Sequence, residues 1–255
     1  MRRLRSNDPN VQCAAAWKLG RLGATVASGP LIKILRAAIA QEIPSRNFQP
    51  ALAFRLDAVI GALGKLRSTE AIEHLSRLAL QDGYRHSCLC ALVEIGAPSV
   101  DPLVEMWKEY SWLRGNIGSA LSRIQHIDAV HALRLLSHVP KSDISVWENR
   151  AKTVPWLAKQ GNPLAIEELM ELIGRECRSA VRDALAQIKE RDWEQCAANA
   201  TDHVLQSVAR VQDVPGNMVR WPATRENPGG AEWQSGVDLS LLRKAAAREL
   251  DRRQG

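Results

Sequence analysis

A leucine register repeated along most of the chain constrains the fold more than any other feature. Its clearest copy is LDAVIGALGKLRSTEAIEHLSRLAL, Leu56 to Leu80. Leu56, Val59, Ile60 and Leu63 are spaced i, i+3, i+4 and i+7, one apolar stripe of an α-helix, and Ile72, Leu75, Leu78 and Ala79 form a second. Between them Gly64 reads as a helix stop and Ser68 as the next N-cap, with Glu70 where the helix dipole favours an anion. Two short amphipathic helices cannot hide both stripes from water on each other alone, so such a hairpin needs neighbours stacked on either side.

The register recurs. Aligned on Leu63, the leucines Leu19, Leu92, Leu121, Leu157 and Leu185 fall in equivalent first helices. Twelve residues after Leu19, Leu63, Leu121 and Leu157 come Leu31, Leu75, Leu133 and Leu169, and eleven after Leu92 comes Leu103. Four hairpins therefore share one internal spacing and a fifth differs by a single residue, and a sixth has a good first helix followed, after Asp192, by a weaker partner that reads as a cap. Val-Thr-Tyr alternation is nearly absent, so the predicted fold class is all-α.

Local signals divide the chain further. Asn7-Asp8-Pro9 starts a first helix and Gly29-Pro30 a second. Gln41 to Pro50 is a loop insertion of the kind that carries contacts, and Ser137 to Ser145 is a second irregular stretch. Asp128 reads as a cap. Pro155 should kink its helix or start it late, and Gly161-Asn162-Pro163 reads as stop, cap and restart. The predicted domains are a repeat region, 1–211, and a Pro/Gly-rich linker with a short C-terminal helix, 212–255. The linker is expected to be irregular or disordered, and Leu239, Leu242, Ala246 and Leu250 give the helix a narrow stripe with which to dock.

The net charge of +6 and pI near 9.3 permit an acidic partner without requiring one. Five cysteines (Cys13, Cys88, Cys90, Cys177 and Cys196) show neither CxxC pairs nor metal-ligand spacing and read as buried free thiols in a reducing cytosol. The basic start MRRLRSNDPNVQ lacks the apolar run of a signal peptide, and no stretch approaches a membrane span. A cytoplasmic protein without a membrane partner is expected.

The stretches RLDAVIGALGKLRSTEAIEHL, RHSCLCALVEIGAPSVDPL, RGNIGSALSRIQHIDAVHAL, RAKTVPWLAKQGNPLAIEEL and RSAVRDALAQI resemble HEAT-like repeats of the phycobilin-lyase type over roughly Leu4 to Lys189. The resemblance implies a right-handed α-solenoid of about six helical hairpins with an irregular C-terminal tail. It does not select one function, because similar repeats serve chromophore lyases, metal-dependent hydroxylases, DNA-alkylation repair enzymes and plain interaction proteins.

Arg85, Arg114, Arg150 and Arg178 each precede their alignment leucine by seven residues, while Arg55 is displaced by one and Gln12 stands in the first repeat. In stacked repeats they should line up near the first-helix starts, either binding acidic groups or tying one repeat to the next; the second reading is preferred. Eight tryptophans outnumber the two Phe and two Tyr. Packing between repeats is the preferred reading over stacking on bases or a cation, and Trp156, next to Pro155, is the aromatic candidate for a contact. The tentative binding residues are therefore Arg85, Arg114, Arg150, Arg178 and Trp156.

Catalytic and metal residues are not assigned. The His-Glu dipeptides of the hydroxylases are missing, His126-Asp128-His131 reads better as helix-end residues than as a metal cluster, and His86 with Cys90 reads as an ordinary i, i+4 pair. No cofactor is called for. The leading functional expectation is a non-catalytic scaffold holding a protein or peptide, acidic character being permitted, on its concave second-helix face. The alternatives are a phycobilin-lyase-like chromophore handler and a DNA-binding or alkylation-repair-like protein with a nucleic acid partner.

Overall fold

Helices begin and end where the chain supplies caps and breakers, with some substitutions of role. The computed structural model describes residues 2–6, 8–40, 50–139, 144–173, 178–214, 218–220, 232–234 and 238–255. Its helices divide between two compact units, Met1–Ala132 and Leu133–Gly255. The fold is all-α, with strands confined to a small patch near the C-terminus. Among the described residues no helix is long and apolar enough to cross a membrane.

The first unit opens with a 3-10 turn, Arg2–Arg5, and α1, Pro9–Arg21, whose N-terminus is capped as expected: the Asp8 carboxylate accepts the Asn10 N–H at 2.9 Å, with Pro9 in the first turn. It continues with α2 (Ser28–Ala40), α3 (Pro50–Lys65), α4 (Ile72–Leu78), α5 (Arg85–Ile95), α6 (Val100–Glu109) and α7 (Arg114–Arg123), and reaches into α8, Ile127–Ser137. The first helices pack in series, α1 on α3, α3 on α5 and α5 on α7, while α2, α4 and α6 make a second series. Each second helix also packs on the next first helix, α2 on α3, α4 on α5 and α6 on α7. The alignment leucines Leu63, Leu92 and Leu121 and the second-helix leucines Leu31, Leu75 and Leu103 are fully buried between these series; Leu19, in the outermost helix, is half-buried.

Three expected helix ends are corrected. Gly64 lies inside α3 and stops nothing. A Cβ there would come within 2.8 Å of the Ala91 Cα, and one at Gly20 within 2.9 Å of the Ala62 Cα, so these glycines let α1, α3 and α5 approach closely. The turn after α3 is made by Arg67, with φ of 49°. Ser68 does not cap through its hydroxyl. At α8 the cap comes from His126, whose Nδ1 accepts the Asp128 N–H at 3.3 Å, and Asp128 sits in the first turn. Gly96, with φ of 90°, does terminate α5.

The second unit contains the last turn of α8 and then α9 (Ile144–Ala151), α10 (Val154–Lys159), α11 (Leu164–Ile173), α12 (Arg178–Leu185), α13 (Glu190–Asn199) and α14 (Asp202–Ala209). Pro155 has the predicted effect: the fifth first helix is split, and Pro155 occupies the opening turn of α10, where its missing N–H is harmless. Gly161, with φ of 63°, ends α10, and the Asn162 side chain accepts the Leu164 N–H at 3.0 Å. Leu157 and Leu169 are fully buried, whereas Leu185 is half-buried.

The expected irregular tail contains short strands β1 (Gln212–Val214), β2 (Met218–Arg220) and β3 (Glu232–Gln234), paired antiparallel in that order, with Asp213 opposite Val219 and Val219 opposite Trp233. Backbone pairing gives these segments the hydrogen bonds that an unstructured linker would leave to water. The C-terminal helix, α15 (Ser240–Gln254), docks on α13 and α14 through Leu239, Leu242, Ala245 and Ala246. Arg253 supports the docking by donating to Asp202 at 2.6 Å and to the Ala198 carbonyl at 3.0 Å. The insertion at 41–49 and most of the linker lie outside the described residues.

Candidate functional site

The arginines at the shared spacing do not all hold the same position in their helices. Arg85, Arg114 and Arg178 each open their helix, but Arg150 lies in the last turn of α9, because the chain restarts at Pro155 before reaching Leu157. The Arg178 side chain lies outside the described set. Arg85 is paired with Asp82 and stacks on Trp112, its guanidinium 4.5 Å from the ring centre. Arg114 stacks on Trp107 at 4.3 Å and donates to the Trp107 carbonyl at 3.2 Å. Both therefore serve interhelix packing, with aromatic faces and a carbonyl as partners.

Arg150 is enclosed completely. Its Nε donates to Glu168 at 2.9 Å and its Nη2 lies 2.7 Å from the same oxygen; it also donates to Glu171 at 2.7 and 3.1 Å and to the Ser137 hydroxyl at 2.9 Å, and it lies over Trp147. Arg134 supplies further positive charge at the edge, and His138 Nε2 lies 3.1 Å from Glu171. Burial raises the Glu168 carboxyl above its ordinary range despite Arg150. Burial also acts to raise Glu171, but the Arg150 hydrogen bonds and the charges of Arg150, Arg134 and His138 outweigh it and hold Glu171 below that range. With every donor direction taken by the chain itself, this arginine works as a structural clamp. Trp156 is half-buried, as the break before α10 suggested.

Unpaired positive charge gathers instead at the opposite ends of the first-unit helices. Arg21 ends α1, Lys65 ends α3, Arg67 forms the turn beyond it and Arg123 ends α7. All four are exposed and line one open groove of about 820 Å³, together with Glu94, His126 and the Gly96-Ala97-Pro98 turn. Among the described residues none of the four has a carboxylate within ion-pair distance. Arg21 rests on the face of Trp17, which is 52% exposed. The cations complement the partial negative charge of the helix C-termini, and Arg123 also donates to the Cys90 sulfur at 3.5 Å.

No protein-family model and no curated protein matches this chain. The groove must therefore be read from its own chemistry. Its lining holds one carboxylate and no Ser, Thr or Cys, and among the described residues no three His, Cys, Asp or Glu side chains are placed to hold a metal. What it offers is recognition of negative charge through Arg and Lys donors.

The sequence reading missed this groove although the leucine alignment contains it. The second residue after each alignment leucine is Arg21, Lys65, Glu94, Arg123 and Lys159 in the first five repeats, a basic position broken once. The arginines upstream of the leucines drew attention because they match a repeat consensus; those downstream carry the free charge.

Proposed function

We propose that this protein is a non-catalytic HEAT-like repeat scaffold that holds an acidic segment of another protein against its first-unit groove. The observation that carries the reading is the convergence of Arg21, Lys65, Arg67 and Arg123 on one surface without carboxylate partners. The repeated leucine spacing and the serial packing of α1, α3, α5 and α7 support the repeat assignment. We put the contact at the helix ends instead of on the second helices because the unpaired charge is there.

An acidic peptide fits this groove better than a nucleic acid backbone. Glu94 interrupts the basic row, and its carboxylate oxygen lies close beside Gly64. A continuous run of phosphates would meet it with like charge, whereas a peptide can place an amide or a basic side chain opposite Glu94 and its acidic residues on either side. Groups of this kind recognise through several modest, exchangeable contacts.

Fluorescence anisotropy with a labelled Glu/Asp-rich peptide and with labelled duplex and single-stranded DNA tests the proposal. Saturable peptide binding that disappears in the Arg67→Glu/Arg123→Glu variant, with helicity retained, is the expected result. Absence of peptide binding overturns the reading, and binding confined to DNA with a steep fall as salt rises replaces it with a nucleic acid interface.

A further inference from the structure

A second cluster, which shares Arg123 with the groove, surrounds Cys90. Three other cysteines among the described residues, Cys13, Cys88 and Cys196, are buried. Burial pushes the Cys196 thiol up to about 12, helped by Asp192, and burial and then Asp57 raise Cys88 well above its ordinary value. Such thiols are inert toward electrophiles. Cys90 is only partly buried and opens into a pocket of about 300 Å³.

Its sulfur has two partners suited to a thiolate. His86, one turn earlier on α5, places Nε2 3.6 Å from Sγ, within reach to take the proton. Arg123, on the neighbouring helix α7, directs Nη1 to Sγ at 3.5 Å and supplies a cation without a proton to lose. Because the base and the cation come from two packed helices, the arrangement depends on the fold and not on an i, i+4 spacing alone. The pocket around the sulfur also contains Asn116, Ser119 and Arg85; Arg85 is already paired with Asp82, so the pocket keeps one net positive charge through Arg123.

We propose that Cys90 is a reactive thiol that undergoes exchange with small disulfides carrying carboxylate groups. His86 accepts the Sγ proton, and the Cys90 thiolate attacks one sulfur of the disulfide. The disulfide's own S–S bond breaks as the Cys90–sulfur bond forms, and the leaving thiolate recovers a proton from the imidazolium. Cys90 is oxidised to a mixed disulfide while one half of the reagent is reduced to a thiol, so no other oxidant is needed. Arg123 favours the anionic reagent through its charge.

The test uses the full chain in its native state. The anionic aromatic disulfide dithiobis(nitrobenzoate) and the cationic disulfide cystamine are each added, the reaction is followed over time, and the modified cysteine is located by peptide mass spectrometry. Cys90 is expected to react roughly tenfold or more faster than in the urea-unfolded chain. Its ratio of anionic to cationic rates should exceed that of the urea-unfolded chain, in which the leaving-group difference alone acts, and Arg123→Gln should remove most of that excess. His86→Gln should slow the reaction by removing the proton acceptor, and Cys90→Ser should abolish the fast phase. A native rate no greater than the unfolded rate, or a fast phase that persists in Cys90→Ser, overturns the proposal. The wild-type comparison stands even if a variant folds poorly.

Discussion

Arg150 and Glu168 face each other at 2.7 Å with neither side chain reaching solvent. The pair joins α9 to α11, and the hydrogen bond from Arg150 to Ser137 adds the last turn of α8. One guanidinium thereby ties together three helices of the second unit. Its value depends on completeness, because a buried charge that loses its partner keeps its desolvation penalty and forfeits its attraction.

Removing one member should therefore cost far more than removing both. Arg150→Ala is expected to lower unfolding free energy by about 3–5 kcal/mol, leaving Glu168 enclosed without its cation. The double change Arg150→Met/Glu168→Leu should recover most of that loss. Urea titrations followed by circular dichroism measure both; equal losses in single and double variants would show that packing volume, and not charge pairing, sets the cost.

Acid should weaken the second unit through two carboxylates. Glu249 is held down to about 2, chiefly by hydrogen bonds from Arg252 and then Arg253, which cover it, and Glu171 is held below its ordinary value in the Arg150 cluster. For a carboxyl depressed on folding, the stabilisation is present above the unfolded value of about 4.3 and is lost as pH falls through the folded value. Glu168 acts with the opposite sign, since its raised carboxyl contributes most below the unfolded value and loses that contribution as pH rises. Thermal unfolding between neutral pH and about 2 should show falling stability below the carboxylate range, and Glu249→Gln should flatten that fall.

Two glycines of α3 should respond in opposite directions to alanine. Gly64→Ala drives a methyl to 2.8 Å from the Ala91 Cα and is expected to cost about 1–3 kcal/mol through displacement of α5. At Gly61 nothing lies within 4 Å of the added carbon, so Gly61→Ala should stabilise by roughly 0.5–1 kcal/mol by reducing the freedom of the unfolded chain. Denaturant midpoints of the two variants check the contrast.

At Arg67 stability and recognition should separate. Its φ of 49° is a left-handed conformation that glycine adopts without a Cβ clash, so Arg67→Gly should stabilise by about 0.5–1 kcal/mol. The same change removes one of the four groove cations and should weaken binding of an acidic peptide several-fold. Paired unfolding and anisotropy measurements would show whether a more stable protein binds less well, as the proposed role of the groove requires.

The leucine register was the most legible feature of the sequence, since Leu63, Leu92, Leu121 and Leu157 are all fully buried. Breakers with a purely local cause were legible too, among them Asp8-Pro9, Pro155 and Gly161-Asn162. Gly64 was misread because a glycine that stops a helix and a glycine that admits a neighbouring helix look the same until that neighbour, Ala91, is in place. Equal sequence spacing also did not ensure equal placement: Arg85 and Arg114 stand at helix starts, but the restart at Pro155 leaves Arg150 at a helix end. The groove was readable in the basic residues that follow the alignment leucines, yet their lack of partners was not.

Periodicity, caps and breakers acted over a few residues, so the chain by itself determined its helical class, most of its helix boundaries and the leucines that fill its interior. Only the tertiary structure decided which charges are spent inside and which remain free. Arg150 meets carboxylates from α11, Arg123 meets the Cys90 sulfur from α5, and Arg21, Lys65 and Arg67 meet no carboxylate among the described residues. Apolar burial follows a local repeat, whereas the fate of a charge depends on groups that folding brings from another helix.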